Sequence, residues 1–191
     1  MPVGLHLLTC RRAVDNQCVR GRRPHQVLKL PSMTSNPDTA ANAISIGKAE
    51  QVLRAIACLR NQDFSGIGVV FYEHLADLPH LQLTDSFLMA DSRRFAEVDL
   101  AIVLSSISVM SSPLHDGFHF VDARSWQLTH LSQFISPPIP TDAVQRFHGT
   151  GARLMAALLT SLLPGIVGVG LVSQGGDIHL FSHGNDFAQK D

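Results

Sequence analysis

The apolar residues of this chain change their spacing several times, and each change marks an element. From Ile44 the pattern is helical. Ile46, Ala49, Val52, Leu53, Ile56 and Ala57 recur at three- and four-residue intervals, one buried stripe that Ser45 would cap and Asn61-Gln62-Asp63 would end. Thr34–Ala41, polar and broken by Pro37, reads as a linker ahead of it. Gly66–Phe71 is a short β-branched run, a central strand, and His74–His80 with its Pro79 is a loop. Phe87–Met110 returns to helical spacing in two pieces, with Phe95, Val98, Ile102 and Ser105 on the buried face of the second.

Phe118–Val121 and Trp126–Leu131 are two strands, and the turn near Asp122–Ser125 predicts a hairpin. Pro137, Pro138 and Pro140 end the sheet there. Gly149–Leu163 is the clearest helix, faced by Leu154, Ala157, Leu158 and Ser161 and stopped by Pro164-Gly165. Ile166–Val172 is a buried strand, Gln174–Asp177 a turn and Ile178–Phe181 the returning strand. Interleaved helices and strands in one chain predict an α/β sandwich, a central mixed β-sheet flanked by helices.

The length of 191 residues suits one domain with a real core. The formal net charge of −1 gives no bulk attraction for nucleic acid or anionic membrane. The average hides an asymmetry. Residues 1–32 carry Arg11, Arg12, Arg20, Arg22, Arg23 and Lys29 against Asp15 alone. We read residues 1–40 as a basic appendage, open to four readings: a targeting leader, a nucleic-acid-touching tail, disorder, or an extension ahead of a start at Met33. Residues 41–187 form the domain and 188–191 a tail. No run reaches the roughly 20 apolar residues of a membrane span. Cys10, Cys18 and Cys58 leave one thiol unpaired in any disulfide scheme and have no close metal-ligand partners, so the expectation is cytoplasmic.

Two stretches carry chemistry. Asp116-Gly117 places a carboxylate at a tight turn just ahead of a strand. Asp116 suits a hard cation such as Mg²⁺ or Mn²⁺, and Gly117 lets the backbone approach a nucleotide. An ordinary turn is the bland alternative. Gly149-Thr150 opens a helix, where free N–H groups favour phosphate and Thr150 adds a hydroxyl, or simply a cap. Arg153, one turn inside, reaches a phosphate or pairs with a neighbouring acid. Arg146 and His148 flank this motif as further donors. Trp126 is a packing residue before it is a base platform, and the loop aromatics Phe134 and Phe147 are better placed to touch a base. Tyr72 and Glu73, at a strand end, are candidates to line a ligand crevice.

Pro113-Leu114-His115-Asp116-Gly117-Phe118, then Gly149-Thr150-Gly151-Ala152-Arg153, then Val172-Ser173-Gln174-Gly175 and His183-Gly184 resemble, in order and spacing, the motifs of the diadenylate cyclase domain family over residues 48–187. The resemblance implies a site of Asp116, Gly117, Phe118, Gly149, Thr150, Arg153 and Ser173 with Arg146 and His148 beside it. It also implies a Mg²⁺ or Mn²⁺ ion on Asp116, ATP or cyclic di-AMP as ligand, and a face-to-face homodimer. The family's Gly-Thr-Arg-His-Arg motif is degenerate here: Gly151 and Ala152 stand where it has Arg and His. Gln174-Gly175 stands where it has two acids, and Phe118 where it has Ala. The expectation is therefore an adenine-nucleotide-binding domain with weak or lost cyclase activity, a sensor or regulator. An active enzyme joining two ATP into cyclic di-AMP and two pyrophosphates, and a fold-only interaction protein, are the alternatives.

Overall fold

The computed structural model describes residues 37–75, 77–84, 97–141 and 151–187. Of the chain's two compact units, the second spans Ile44–Asp191. Helix α1 runs Pro37–Leu59. It starts earlier than the polar composition suggested, so residues 37–41 are helical rather than linker, and Ser45 lies inside the helix instead of capping it. Proline is tolerated in a helix's first turn, where its N–H would have no partner, and the alanines that follow are strong helix formers. The expected stripe is the one that is buried: Ala49, Val52, Leu53 and Ile56 are fully covered.

Strand β1 follows as Ile67–Tyr72, then β2 as His80–Gln82. The sequence pattern ends its loop at His80 and assigns nothing to Leu81 and Gln82, because β2 is three exposed residues at a sheet edge. Helix α2 is Glu97–Ile107. Its buried residues are Leu100, Ala101 and Leu104, while Ile102 is 38% exposed. The expected face through Ile102 is therefore rotated by about one residue, roughly 100°. The run Leu-Ala-Ile-Val-Leu is apolar all round, so its own pattern names no single face, and packing chose. Phe95 and the first helical piece lie outside the described residues.

Strands β3 (Phe118–Asp122) and β4 (Gln127–Ile135) form the expected hairpin, and helix α3 spans Ala152–Thr160. Strands β5 (Ile166–Val172), β6 (Ile178–Ser182) and β7 (Asn185–Asp186) complete a seven-stranded sheet in the order β2-β4-β3-β1-β5-β6-β7. It is mixed: β1 pairs parallel with β3 and antiparallel with β5. A chain that leaves β1 and returns parallel to it needs a crossover, which α2 supplies.

Two apolar layers sandwich this sheet. On one face α1 and α2 pack on Val69, Phe71 and Val121. On the other, Ala157 and Leu158 of α3 pack on Val70, Phe118, Phe120 and Val169. The alternation of Val69, Val70 and Phe71 between faces is the two-residue period of a strand buried on both sides. Helix α1 approaches closely because β5 presents Gly170, where a Cβ would collide with the Leu53 side chain.

Candidate functional site

Strand register decides which residues share an end of the sheet. Gly68 lies opposite Phe118, and Ile67 opposite Val172. The amino ends of β1 and β3 and the carboxyl end of β5 therefore meet. Asp116-Gly117, just before β3, and Ser173, just after β5, stand at that end. Tyr72 lies opposite Asp122, at the far end. The expectation that Tyr72 and Glu73 line the same cleft is thus corrected. Tyr72 donates its hydroxyl to Thr129 at 2.9 Å, and Glu73 lies 3.7 Å from Arg124. Trp126 is also at the far end. It is part-buried against Phe71, ring centroids 6.0 Å apart, in a packing role. Phe134 lies in β4, not in a loop, next to Gln133 opposite Phe118, and is 54% exposed at the Asp116 end.

The Asp116-Gly117 turn is tightly specified. Gly117 has φ +80°, and a Cβ there would come within 2.7 Å of the Gln133 carbonyl oxygen. Only glycine combines that left-handed conformation with that approach. The Gly117 N–H donates to Asp116 Oδ1 at 2.7 Å. Arg153 Nη2 donates to the same oxygen at 3.2 Å. Both side chains are solvent-accessible, so this ion pair adds little stability; its interest is positional.

Arg153 is the second residue of α3, not one turn inside. The helix starts at Ala152, with Gly151 as an N-cap that makes no side-chain hydrogen bond. The first turn contains no acid. Among the described residues, then, this helix start holds no side-chain cap and no acid of its own, and its partial positive charge faces outward. Gly149, Thr150, His148, Arg146 and Phe147 lie outside the described residues.

Ser173 closes the turn beyond β5. Its hydroxyl donates to Asp177 Oδ2 at 2.8 Å and accepts from the Asp177 N–H at 2.9 Å. Phe118 is buried to 5% exposure, and its ring lies over Gly68 within the α3-side core. Among the described residues, no three His, Cys, Asp or Glu side chains converge as a metal-binding group.

Two residues at this end had no sequence signal of their own. Arg60, just past α1, lays its guanidinium against Gly176 and donates to the Ala57 carbonyl. Its position after an apolar stripe marked only a helix end. Ser132 lies in β4 behind Asp116. Between β3 and β4, Phe118 pairs with Gln133 and Phe120 with His130, so over that interval β4 carries one extra residue. That bulge leaves Ser132 at φ +49° and fully buried. Its hydroxyl donates to the Asp116 carbonyl at 2.9 Å, and its N–H donates to Nδ1 of His119 at 3.2 Å. His119 is 1% exposed. Burial, aided by the charge of Arg153, lowers its pKa from 6.5 to about 4. It is neutral at physiological pH, with its proton on Nε2 because Nδ1 accepts.

The geometry defines a class: an α/β protein with a central mixed sheet flanked by helices, carrying a carboxylate–guanidinium pair where a helix start meets the sheet end. No family model matches the chain, and no curated protein matches it in sequence. Solved structures are similar to it in fold. A hypothetical membrane spanning protein from Bacillus cereus is similar over 97% of this chain and 87% of its own, at 17% identity and a TM-score of 0.53. A double cysteine mutant of DacA from Staphylococcus aureus shows a remote similarity over 82% of this chain and 91% of its own, at 16% identity and a TM-score of 0.47. At such identities the likeness is one of fold. Among the described residues of this chain, no helix is long and apolar enough to cross a membrane.

Proposed function

We propose that this chain is a diadenylate-cyclase-like domain that binds an adenine nucleotide, with weak or lost cyclase activity, and acts as a sensor or regulator. The observation that carries this reading is the 3.2 Å contact between Arg153 and Asp116, 37 residues apart in sequence, at a helix start whose N-cap, Gly151, has no side chain to cap it. A carboxylate held there occupies the place of an anion. A nucleotide phosphate competes for the same guanidinium and helix end. Its arrival frees Asp116 for a divalent cation. Among the described residues no metal-binding group converges on Asp116, so Mg²⁺ or Mn²⁺ fits there as the companion of the nucleotide, whose phosphate oxygens complete its shell. Phe134, exposed at this end, offers a face for adenine. Ser173, Gly117 and the segment with Arg146, His148, Gly149 and Thr150 complete the proposed contacts.

Turnover asks for more. Attack of a ribose 3′-hydroxyl on an α-phosphorus needs proton removal, charge neutralisation and in-line alignment. Gly151 and Ala152 supply no cation, and Gln174-Gly175 no carboxylate, where the resembling motifs have both. Each missing 1.4 kcal/mol of transition-state stabilisation costs about tenfold in rate. Binding tolerates these losses better than catalysis does. The natural setting proposed is the cytoplasm, with a face-to-face homodimer bringing two nucleotides together.

Calorimetry with ATP and with cyclic di-AMP, each with and without Mn²⁺, tests the binding. The expected result is saturable, Mn²⁺-assisted affinity for at least one ligand; silence with both leaves only the fold. Incubation with ATP followed by mass analysis tests the chemistry. Stoichiometric conversion to cyclic di-AMP would replace the binding-only reading by that of an active cyclase.

A further inference from the structure

Asp116 stands on an exposed turn, where a carboxylate would ordinarily sample several orientations. Its backbone is not free. The Ser132 hydroxyl fixes the Asp116 carbonyl, and Ser132 is itself fully buried in a left-handed conformation that costs a non-glycine residue about 1 kcal/mol or more. The β4 bulge creates this conformation and also turns the Ser132 N–H toward the buried imidazole of His119. In a regular ladder a strand N–H faces a neighbouring carbonyl, and no histidine is needed. A buried N–H without an acceptor is costly, so the bulge and the histidine require each other. Bulges beside functional sites re-aim side chains.

We propose that Ser132 and His119 are positioning residues: His119 Nδ1 holds the Ser132 N–H, Ser132 holds the Asp116 carbonyl, and the chain of contacts sets the Asp116 carboxylate against Arg153. Neither touches the nucleotide. The proposal rests on the binding reading above for its consequence, but not for its geometry. With the relay cut, the turn loosens and Asp116 Oδ1 leaves both Gly117 N–H and Arg153.

Full-length chains carrying Ser132→Gly, His119→Leu and His119→Asn test it. Glycine removes the hydroxyl while accepting the backbone conformation. Leucine removes the acceptor, and asparagine restores one where Nδ1 stood. The first measurement is amide exchange at Gly117, whose N–H donates to Asp116. Loss of a hydrogen bond worth about 1 kcal/mol speeds exchange about fivefold, and this is expected for Ser132→Gly and His119→Leu, with wild-type rates in His119→Asn and unchanged core amides at Val69 and Val169. The second is calorimetry with ATP and adenosine. ATP affinity is expected to fall about fivefold in the first two variants and recover in the third, with adenosine unaffected. Unchanged Gly117 exchange in both Ser132→Gly and His119→Leu overturns the proposal. So does asparagine failing to rescue, or equal acceleration at the core amides, since either makes the role merely structural. If His119→Leu does not fold, Ser132→Gly against His119→Asn gives the same decision. Should the wild-type chain bind no nucleotide while the exchange pattern holds, the functional reading falls and the positioning stands.

Discussion

Acid should weaken this fold through His119. The residue is 1% exposed, and its pKa is lowered from 6.5 to about 4, first by burial and then by the charge of Arg153. The unfolded chain therefore takes up this proton at a higher pH than the folded one. A folded value below the unfolded one means that the contribution to stability is fully present above about pH 6.5. It is lost progressively as pH falls toward 4. Each pH unit in that window is worth about 1.4 kcal/mol per proton, so lowering pH from 8 to 5 costs about 2 kcal/mol, and reaching pH 4 about 3 kcal/mol. His130, lowered by burial and by His80, adds a contribution of the same sign. The control is His119→Asn, which keeps an acceptor for Ser132 but cannot titrate. Urea denaturation between pH 8 and 5, followed by far-ultraviolet circular dichroism, should show the wild type losing about 2 kcal/mol more than the variant over that range. Equal losses in both proteins would show that His119 charges without penalty, and the argument from its burial would fail.

Further expectations concern the site and its frame. Gly117→Ala places a Cβ against the Gln133 carbonyl at φ +80° and should cost about 2 kcal/mol or more in urea denaturation, where a change under about 0.5 kcal/mol would contradict the close approach. Asp116→Asn should remove the Mn²⁺ dependence of nucleotide affinity in calorimetry; retained dependence would defeat the metal assignment. Arg153→Ala should weaken ATP by about 10- to 150-fold and adenosine little, since a hydrogen bond to a charged group is worth about 1.5–3 kcal/mol, and equal losses would mean that Arg153 acts through folding. Gly170→Ala drives a methyl into Leu53 and should destabilise by about 1–3 kcal/mol while leaving ligand affinity unchanged.

Helical spacing was enough to place α1 and α3, and short apolar runs bounded by turn residues placed β1, the β3–β4 hairpin and the β5–β6 pair, because a buried helix face and a strand buried on both sides each leave a local pattern in the sequence. Where no such pattern exists, sequence was mute or misleading. The middle of helix α2, Leu100–Leu104, is apolar on every side, so its buried face was settled by packing. Strand β2, three exposed residues long, and β7, two residues long, carry too few positions for any period to register. For the site, residue types nominated Asp116, Gly117 and Arg153, and the family resemblance added Ser173. Their relation could not be read that way, since an ion pair bridging 37 residues is set by strand register and by where a helix begins.

What the sequence determined by itself was an α/β fold, most of its elements and part of the chemical inventory of one end. What only the tertiary structure decided was which end. Parallel β1 and β3 carry Asp116 to the opposite end of the sheet from Tyr72 and Glu73, and an extra residue in β4 sets a buried serine and histidine behind the carboxylate. Periodicity is a local property of the chain, whereas register and bulges arise between strands, so no single segment holds the information that sets them.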